Sequence, residues 1–345
     1  MYVSYDPVLS PLPHQPGVLL IHLLNQCNLL CQHCYLDAAP WCDTQLPLKL
    51  VIRSLGEVEQ LGIGTIYISG GEPFLYPKLG EVLAFISQQK SFELCVSTNG
   101  TLIGTAEAAL LKDSGASVQV SIDGPEAYHD RFRGSKGAFR RASLGIKQLL
   151  AAEVPVTIVI TICKDNIACL PWLADWAARM GVEHISVQPL LVLGRGSELH
   201  DKKLSKEKLC DLFLQLSDLG HIYRSRGLSF SLAYRTRRFL LAHPCAAYVY
   251  NGTRCHRKVE KEIKKLVVRE DGTVLPEIPT LNYRFALGNL HEGTLTELVA
   301  RYFADGFKKF DRLCRTVYEE VMPSWTSPIV PWDEIVSERS WKFNV

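Results

Sequence analysis

The strongest constraint on the fold is a regular alternation of short apolar runs with amphipathic stretches in the first half of the chain. The apolar runs have strand length and are Gly17–Leu24, Thr65–Ser69, Glu93–Thr98, Ser117–Asp123, Pro155–Ile162 and His184–Leu191. Helical apolar spacing fills the intervals at Leu48–Leu61, Lys78–Gln89, Ala106–Ser114, Ala138–Ala152 and Cys169–Met180. Strands that alternate with helices predict an α/β fold with a parallel sheet, either a partial barrel or an open doubly wound sheet.

Composition narrows the class of protein. The chain has 345 residues, of which 47% are hydrophobic and 21% charged, as in ordinary globular proteins. Its 38 basic and 36 acidic residues nearly cancel, which argues against a strongly basic nucleic-acid-binding protein. No apolar run reaches the roughly 18 residues of a membrane span, and the first residues do not resemble a secretory signal. We therefore expect a cytoplasmic protein whose 11 cysteines are thiols or metal ligands rather than disulfides.

The regular alternation of strand-like and helix-like stretches ends after Leu193. A polar stretch, Gly194–Lys203, is typical of a linker. The pattern then predicts a helix from Lys206 to about Arg226, a strand at Leu228–Tyr234 and a hairpin around Asp271-Gly272, and it predicts loops with one or two short helices in the last forty residues. We expect a barrel-like domain over residues 1–195 and a smaller α+β extension over residues 196–345.

Three cysteines, Cys27, Cys31 and Cys34, fall within eight residues directly after the first predicted strand. Three thiolates can hold three irons of a [4Fe–4S] cluster and leave the fourth iron open to another ligand. A loop at the carboxyl end of a strand lies at the mouth of the sheet, where a small molecule can reach it. The spacing therefore favours an iron–sulfur site that is open to a ligand.

Three alternatives compete with this interpretation. A zinc ion needs a fourth ligand, for which His33 or His22 is available, although the spacing is unusual for a zinc finger or ribbon. A redox pair uses only two of the three thiols. Buried structural cysteines have no reason to cluster at this spacing.

The cysteine pattern resembles the C-x3-C-x2-C signature of the radical SAM enzymes, with His33 at the usually aromatic position before the last cysteine. Further matches follow successive predicted strands: Gly70-Gly71-Glu72-Pro73, Ser97-Thr98-Asn99-Gly100, Ser121-Ile122-Asp123-Gly124, Arg133-Gly134 and Gln188-Pro189-Leu190. The resemblance covers roughly residues 15–195. It implies a partial (βα)6 TIM-like barrel, a [4Fe–4S] cluster on the three cysteines, and S-adenosyl-L-methionine bound to the open iron.

The resemblance also implies where the methionyl group of S-adenosylmethionine binds. The turn Gly70–Pro73, with its backbone carbonyls and the Glu72 carboxylate, would take the ammonium group. Arg133 would take the carboxylate through two parallel hydrogen bonds. The plainer interpretations are a strand-to-helix turn capped by Glu72 and a surface arginine.

The nucleoside would be held by the remaining motifs. Ser121 and Asp123 alternate along a strand, so both face one side and suit ribose hydroxyls, unless they only form an Asp-Gly turn. Asn99 would bond to the ligand or merely cap a helix. The adenine would meet backbone groups near Gln188 and Leu190, and the ring of His33.

The last third resembles the cysteine-rich SPASM or twitch extension of peptide-modifying radical SAM enzymes. Cys255 and Asp271-Gly272 keep their places in that pattern, but Glu277 stands where a cysteine is expected and only Cys314 follows. The extension therefore looks depleted of cluster ligands. We expect Cys245, Cys255 and Cys314 to be either core residues or, for one of them, a hydrogen-atom donor to a substrate radical, with Cys255 favoured.

The resemblance implies an enzyme that abstracts hydrogen from a peptide or protein and produces a crosslink, an epimerised residue or an oxidation. The alternatives are a radical SAM enzyme that acts on a small-molecule or cofactor precursor, and a cluster-bearing scaffold without turnover. The expected partners are a peptide or protein substrate and a reductant such as flavodoxin or ferredoxin, with no nucleic acid and no membrane.

Overall fold

A computed structural model of the protein describes residues 17–89, 92–242 and 265–343. The strands in chain order are β1 (Gly17–His22), β2 (Ile63–Ser69), β3 (Glu93–Thr98), β4 (Ser117–Ser121), β5 (Val156–Ile162), β6 (His184–Pro189), β7 (Ser229–Leu232), β8 (Arg235–Thr236), β9 (Lys265–Val268), β10 (Thr273–Pro276), β11 (Gly288–Asn289) and β12 (Ile329–Val330). Ten of them form one sheet in the order β11-β10-β9-β1-β2-β3-β4-β5-β6-β7. Strands β1 to β6 are parallel and adjacent in chain order.

Helices separate these six parallel strands, as the sequence predicts for each of those helices except Glu126–Phe132. The helices of the described residues, in chain order, are α1 (Leu48–Gly56), α2 (Leu79–Ser87), α3 (Thr105–Asp113), α4 (Glu126–Phe132), α5 (Ala138–Ala151), α6 (Leu170–Met180), α7 (Lys206–Tyr223), α8 (Arg237–Ala242), α9 (Leu295–Arg301), α10 (Phe307–Val321) and α11 (Trp332–Lys342). The six parallel strands with their connecting helices confirm the α/β architecture of a partial (βα)6 barrel. No helix in the described part of the chain is long and apolar enough to cross a membrane.

The two faces of the parallel strands carry different chemistry. One face is apolar and packs against the helices through residues such as Ile21, Ile68 and Val120, all of which are buried. The other face carries polar residues such as Ser97 and Gln119, which line a cavity. The helix-facing side of the strands is therefore apolar and buried, whereas the opposite side presents polar groups to the cavity.

The C-terminal part adds strands to both edges of the barrel sheet. β7 pairs in parallel with β6, and β9 pairs in parallel with β1. β9 and β10 form the predicted hairpin, whose turn uses Gly272 at a φ of 85°. Since the sheet and its core run past residue 195, the division of the chain at that point stays a prediction.

The expectation of loops in the last forty residues is wrong for most of that stretch. α10 spans 15 residues and α11 spans 11. Their apolar faces, which include Phe310, Val317 and Val336, form a second core with Phe285. The three prolines and three tryptophans of this segment suggested loops, but the helical spacing of its apolar residues decides its structure.

Candidate active site at the cysteine loop

A cavity of about 680 Å³ opens at the carboxyl ends of the parallel strands. The predicted site residues that line it are Cys27, Cys31, His33, Cys34, Gly70, Gly71, Asn99, Ser121, Arg133 and Gln188. Residues from six separated motifs thus share one cavity, as expected when the ends of adjacent parallel strands meet. Glu72, Pro73, Asp123 and Leu190 are buried beside the cavity and do not line it.

The three cysteines of the loop belong to one small apolar cluster. Cys27 and Cys31 are buried and Cys34 is half-buried, with Leu29 and Ala138 packed around them. Burial raises the pKa of the Cys27 thiol to about 12, because a thiolate loses its hydration there. Within the described residues, no three His, Cys, Asp or Glu side chains converge as ligands of a single metal ion. A four-iron cluster needs a wider arrangement, with one thiolate at each of three corners.

Glycines from other loops hold the backbone of the cysteine loop at close range. Gly194 has a φ of 56°, and a side chain there would come within 2.6 Å of the Cys34 carbonyl oxygen. Gly134 has a φ of 64°, and a side chain there would come too close to the Leu30 carbonyl oxygen. The amide of Gly71 donates to the Leu24 carbonyl at 2.7 Å. Only glycine permits this combination of left-handed backbone and close approach.

The turn at Gly70–Pro73 therefore contacts protein backbone as well as the cavity. Gly70 has a φ of 133° and abuts residues 23 and 24, which lead into the cysteine loop. The amide of Glu72 donates to the carbonyl of Gln26 at 2.8 Å. One function of this turn is thus to fix the path of the chain toward Cys27.

Arg195 is the residue that sequence reasoning missed. It lies in a 3-10 helix, Gly194–Lys202, at the stretch that resembles a linker in the sequence. Its Nε donates to the Cys31 carbonyl at 3.0 Å, its Nη2 to the Ala38 carbonyl at 2.6 Å, and its backbone N–H to the Cys34 carbonyl at 3.1 Å. The linker prediction is wrong because Gly194-Arg195-Gly196 packs on the cysteine loop. The closely spaced glycines around one arginine were the available signal.

Arg133 connects the cysteine loop to a buried carboxylate. Its Nε donates to Asp123 Oδ2 at 2.6 Å, and its Nη1 lies 3.8 Å from Cys31 Sγ. Burial alone would raise the pKa of Asp123, but Arg133 outweighs it, with His33 and His129 adding to its effect, and the pKa falls to about 2. Asp123 is therefore ionised and faces Arg133 instead of the cavity, whereas Ser121 does line the cavity.

Further donors fix Asp123 from the other side. The Thr161 amide donates to its Oδ1 at 3.0 Å, and the Asn166 side chain donates to its backbone carbonyl at 3.1 Å. The Asp123 amide donates to Nδ1 of His129 at 3.2 Å. His129 is six positions from Asp123, but Thr161 and Asn166 are 38 and 43 positions away, so no local pattern could have indicated those two.

Glu72 is fully buried and acts as an acceptor for the end of β3. Its carboxylate accepts from Thr98 Oγ1 at 2.7 Å, from the Asn99 amide at 2.8 Å and from the Phe74 amide at 3.3 Å. Burial raises its pKa to about 7, although these hydrogen bonds oppose the shift. It caps the short 3-10 helix Pro73–Leu75 and fixes Asn99.

Asn99 in turn faces the first cysteine. Its Nδ2 lies 3.8 Å from Cys27 Sγ and 2.8 Å from Asn28 Oδ1. Its Oδ1 accepts from the backbone and the hydroxyl of Thr101. Two of the three thiols, those of Cys27 and Cys31, thus each have an N–H donor directed at sulfur from another loop.

His33 lies with its ring stacked on Phe132 at 4.2 Å between centroids. Burial lowers the pKa of His33 to about 3, and the positive charge of Arg133 is the second-largest cause of this shift. The ring is therefore neutral. Its Nδ1 is buried without a hydrogen-bond partner in the described structure and belongs to a side chain that lines the cavity. A neutral flat ring with a free nitrogen at a cavity wall is suited to contact a heterocyclic ligand.

The predicted tail cysteines do not gather at this site as far as the structure describes them. Cys314 is buried in the second core, among the side chains of α10 and α11, and is not part of the cavity wall. Cys245 and Cys255 lie outside the described residues. Their role as hydrogen-atom donors stays a prediction.

Known proteins resemble this chain in sequence and in fold. Residues 21–177 match the Radical SAM superfamily. A curated relative, the Fe-coproporphyrin III synthase of Methanosarcina barkeri, is 33% identical over 193 residues, 55% of this chain and 48% of the relative. The sporulation killing factor maturation protein SkfB of Bacillus subtilis is 30% identical over 179 residues, 52% of this chain and 43% of the relative. The matches thus span about half the length of these relatives.

The fold extends the likeness over nearly the whole chain. The solved structure "Native anSMEcpe with bound AdoMet and Cp18Cys peptide" has a TM-score of 0.66 at 19% identity, covering 94% of this chain and 88% of the other. At this identity the likeness shows the fold alone.

The residues present fit the cofactors that such a domain implies. Three thiols share one cavity wall, and N–H donors face two of the sulfurs, as the charge of a thiolate-bound cluster requires. The Nδ1 of His33 has no hydrogen-bond partner in the described structure, and Ser121 and Gln188 place polar groups at the cavity wall, which suits the binding of S-adenosylmethionine. The motifs thus lie in order on a partial (βα)6 barrel, and residues 21–177, a little under half of the chain, match the Radical SAM superfamily.

Proposed function

We propose that this protein is a radical SAM enzyme that modifies a peptide or protein substrate. Bound at Cys27, Cys31 and Cys34, a reduced [4Fe–4S] cluster would supply the electron that cleaves S-adenosylmethionine to methionine and a 5′-deoxyadenosyl radical. The observation that carries the proposal is the cavity of about 680 Å³ that the three thiols share with the polar ends of β3, β4 and β6. The radical would abstract hydrogen from a carbon of the substrate held in that cavity.

The chain's own residues would hold and orient S-adenosylmethionine. Arg133 lies at the cavity wall and keeps its charge through Asp123, so it suits the methionyl carboxylate. Ser121 and Gln188 offer polar groups to the nucleoside, and His33 offers its ring to the adenine. Glu72 would act as a positioning residue that fixes Asn99, because its carboxylate is buried behind the wall.

A peptide substrate is supported by two likenesses. SkfB is a maturation protein by name, and the structure that matches nearly the whole chain contains a bound peptide. The C-terminal extension, which packs against both edges of the barrel sheet, accompanies this likeness. The cavity would then admit one side chain or a bend of the peptide.

A second candidate is a tetrapyrrole substrate. It is favoured by the sequence relative Fe-coproporphyrin III synthase, which has the higher identity, 33% against 30% for SkfB. A flat macrocycle and a peptide make different demands on the same cavity, so the two candidates are separable by experiment. A reductant protein such as flavodoxin or ferredoxin is part of either proposal.

The test is anaerobic reconstitution followed by two assays. Iron and 5′-deoxyadenosine are measured in the presence of dithionite, with the Cys27/Cys31/Cys34→Ala variant as the control without cluster. Candidate substrates are synthetic peptides whose reading frames lie next to this gene and tetrapyrrole precursors of iron-coproporphyrin III, the compound that the relative's name gives as its product. A mass change or solvent deuterium incorporation in a peptide supports the first candidate, and conversion of a tetrapyrrole supports the second. Absence of 5′-deoxyadenosine with a full iron complement would contradict both.

A further inference from the structure

The cysteine loop has an outer face as well as the face that lines the cavity. Leu29 is buried in the cavity wall, whereas the next residue, Leu30, is 36% exposed. Leu30 is the large apolar side chain that the loop turns outward between Cys27 and Cys31. This outer face is the solvent side of the loop that carries Cys27 and Cys31.

A second segment lies directly against this face. The amide of Gln32 donates to the Phe132 carbonyl at 2.9 Å. A Cβ added at Gly134 would come within 3.3 Å of the Leu30 Cβ, and closer still to the Leu30 carbonyl. Residues 30–32 and 132–134 therefore run side by side, and the exposed side chains that flank Gly134 border Leu30.

Those flanking side chains are cationic. Arg131, Lys136 and Arg141 are all exposed, and we call them the basic cluster. Arg141 donates to the Lys136 carbonyl at 3.2 Å and to Ser135 Oγ at 3.0 Å, which fixes the side chain beside Lys136. The guanidinium of Arg131 lies 5.3 Å from the Tyr128 ring centroid.

Nearby carboxylates do not neutralise the basic cluster. In the described residues none pairs with Arg131, Lys136 or Arg141, although the neighbouring Arg140 pairs with Glu126 at 2.7 Å. The Asp130 carboxylate is occupied by the amides of Gly137 and Phe139.

On the other side of the cysteine loop the charges balance. The carboxylate of Asp37 lies 3.9 Å from the guanidinium of Arg195, and the two form an ion pair. Three exposed positive charges therefore lie on the segment that runs beside the exposed Leu30.

We propose that Leu30 and the basic cluster form the docking surface for an acidic electron-donor protein of the flavodoxin class. The proposal rests on the proposed function, because it concerns reduction of the cluster bound by Cys27, Cys31 and Cys34. In the step itself, the flavin hydroquinone anion loses one electron and the cluster gains it, with no bond formed and no proton transferred. Opposite charge accelerates such encounters, and the effect falls steeply with ionic strength.

The test measures cluster reduction by anaerobic stopped-flow absorbance with purified flavodoxin in its hydroquinone form. Replacing the basic cluster in R131E/K136E/R141E should slow this reduction about tenfold or more at low salt. Reduction by dithionite should stay unchanged, because a small dianion needs no docking surface of this size. The matched control is K308E/K309E/R312E on α10, where three exposed cations change by the same total charge far from the cysteine loop in sequence.

Several outcomes would overturn the proposal. One is an equal flavodoxin rate in the basic-cluster variant and the wild type. Another is a wild-type rate that does not fall between about 50 and about 300 mM salt, over which the Debye length shortens from roughly 14 Å to roughly 6 Å. This second measurement does not depend on a variant that folds. If the variant instead loses only peptide modification under dithionite, the surface belongs to the substrate. Failure of the proposed function is separate: the cluster would be reduced at normal rates but would form no 5′-deoxyadenosine.

Discussion

Arg133 Nη1 lies 3.8 Å from Cys31 Sγ while the Nε of the same guanidinium bonds to Asp123 Oδ2 at 2.6 Å. One buried arginine thus joins the cysteine loop to the end of β4. Because Asp123 is fully buried and Arg133 is 7% exposed, each charge depends on the other for its solvation.

We expect Arg133→Met to destabilise the fold by roughly 3–5 kcal/mol, because it leaves the Asp123 carboxylate buried without its partner. The double variant Arg133→Met/Asp123→Asn should recover part of this loss. Urea unfolding of both variants under anaerobic conditions provides the measurement. A single variant within about 1 kcal/mol of the wild type would contradict the coupling inferred from this pair.

Arg195→Met should weaken retention of the cluster. The variant loses two charge-assisted hydrogen bonds to the carbonyls of Cys31 and Ala38, each worth roughly 1.5–3 kcal/mol. We expect at least about tenfold faster iron loss to a chelator than in the wild type. Arg224→Met, which changes an exposed arginine in a different segment, is the control. Equal rates of iron loss in Arg195→Met and in the control would contradict the inference that Arg195 holds the cysteine loop in place.

Glu72 predicts a pH dependence of stability. Its pKa rises from 4.5 to about 7 in the folded protein, so the folded state holds this proton more tightly than the unfolded state. Stability should therefore fall as pH rises from about 4.5 to about 7, by up to about 1.4 kcal/mol per pH unit from this one group. Glu72→Gln should flatten that part of the profile, measured without S-adenosylmethionine. Parallel profiles of the two proteins would assign the slope to other groups.

The iron content tests whether the C-terminal extension lacks the ligands for an auxiliary cluster. Reconstituted wild type should hold one [4Fe–4S] cluster, about four irons per chain, and Cys27/Cys31/Cys34→Ala should hold almost none. In the described part of the extension, Cys314 is enclosed by apolar side chains and offers no open ligand site. Eight irons in the wild type, with four persisting in the triple variant, would establish an auxiliary cluster.

The tail cysteines are expected to differ from one another. Cys314→Ala should cost stability, by about 1 kcal/mol as for a small buried side chain, and leave the product unchanged. Cys255→Ala should still cleave S-adenosylmethionine but yield an altered product if its thiol is the hydrogen-atom donor. Product masses from both variants and from Cys245→Ala decide the matter. Three unchanged products would exclude a thiol donor among them.

The sequence was sufficient for the barrel and for the three thiols. Strand and helix periodicity are local properties of the chain, so β1 to β6 and the five predicted helices between them lie close to their predicted bounds. The short helix α4 was not predicted. The cysteine spacing is equally local, and the motifs after each strand were bound to meet because parallel strands end at one edge of a sheet. The same reasoning brought Ser121, Arg133 and Gln188 to one cavity.

Only the tertiary structure decided which side chains face that cavity and which support it. Glu72 and Asp123 sit in motifs that imply ligand contact, yet their carboxylates are occupied by Thr98, Asn99 and Arg133. Arg195 resembled a linker residue because its partners, Cys31 and Ala38, lie more than 150 positions away in the chain. A hydrogen bond between distant segments leaves no period or spacing in the sequence. The sequence therefore determines the elements and the chemistry of the cysteine loop, and long-range packing determines which residues hold that loop in place.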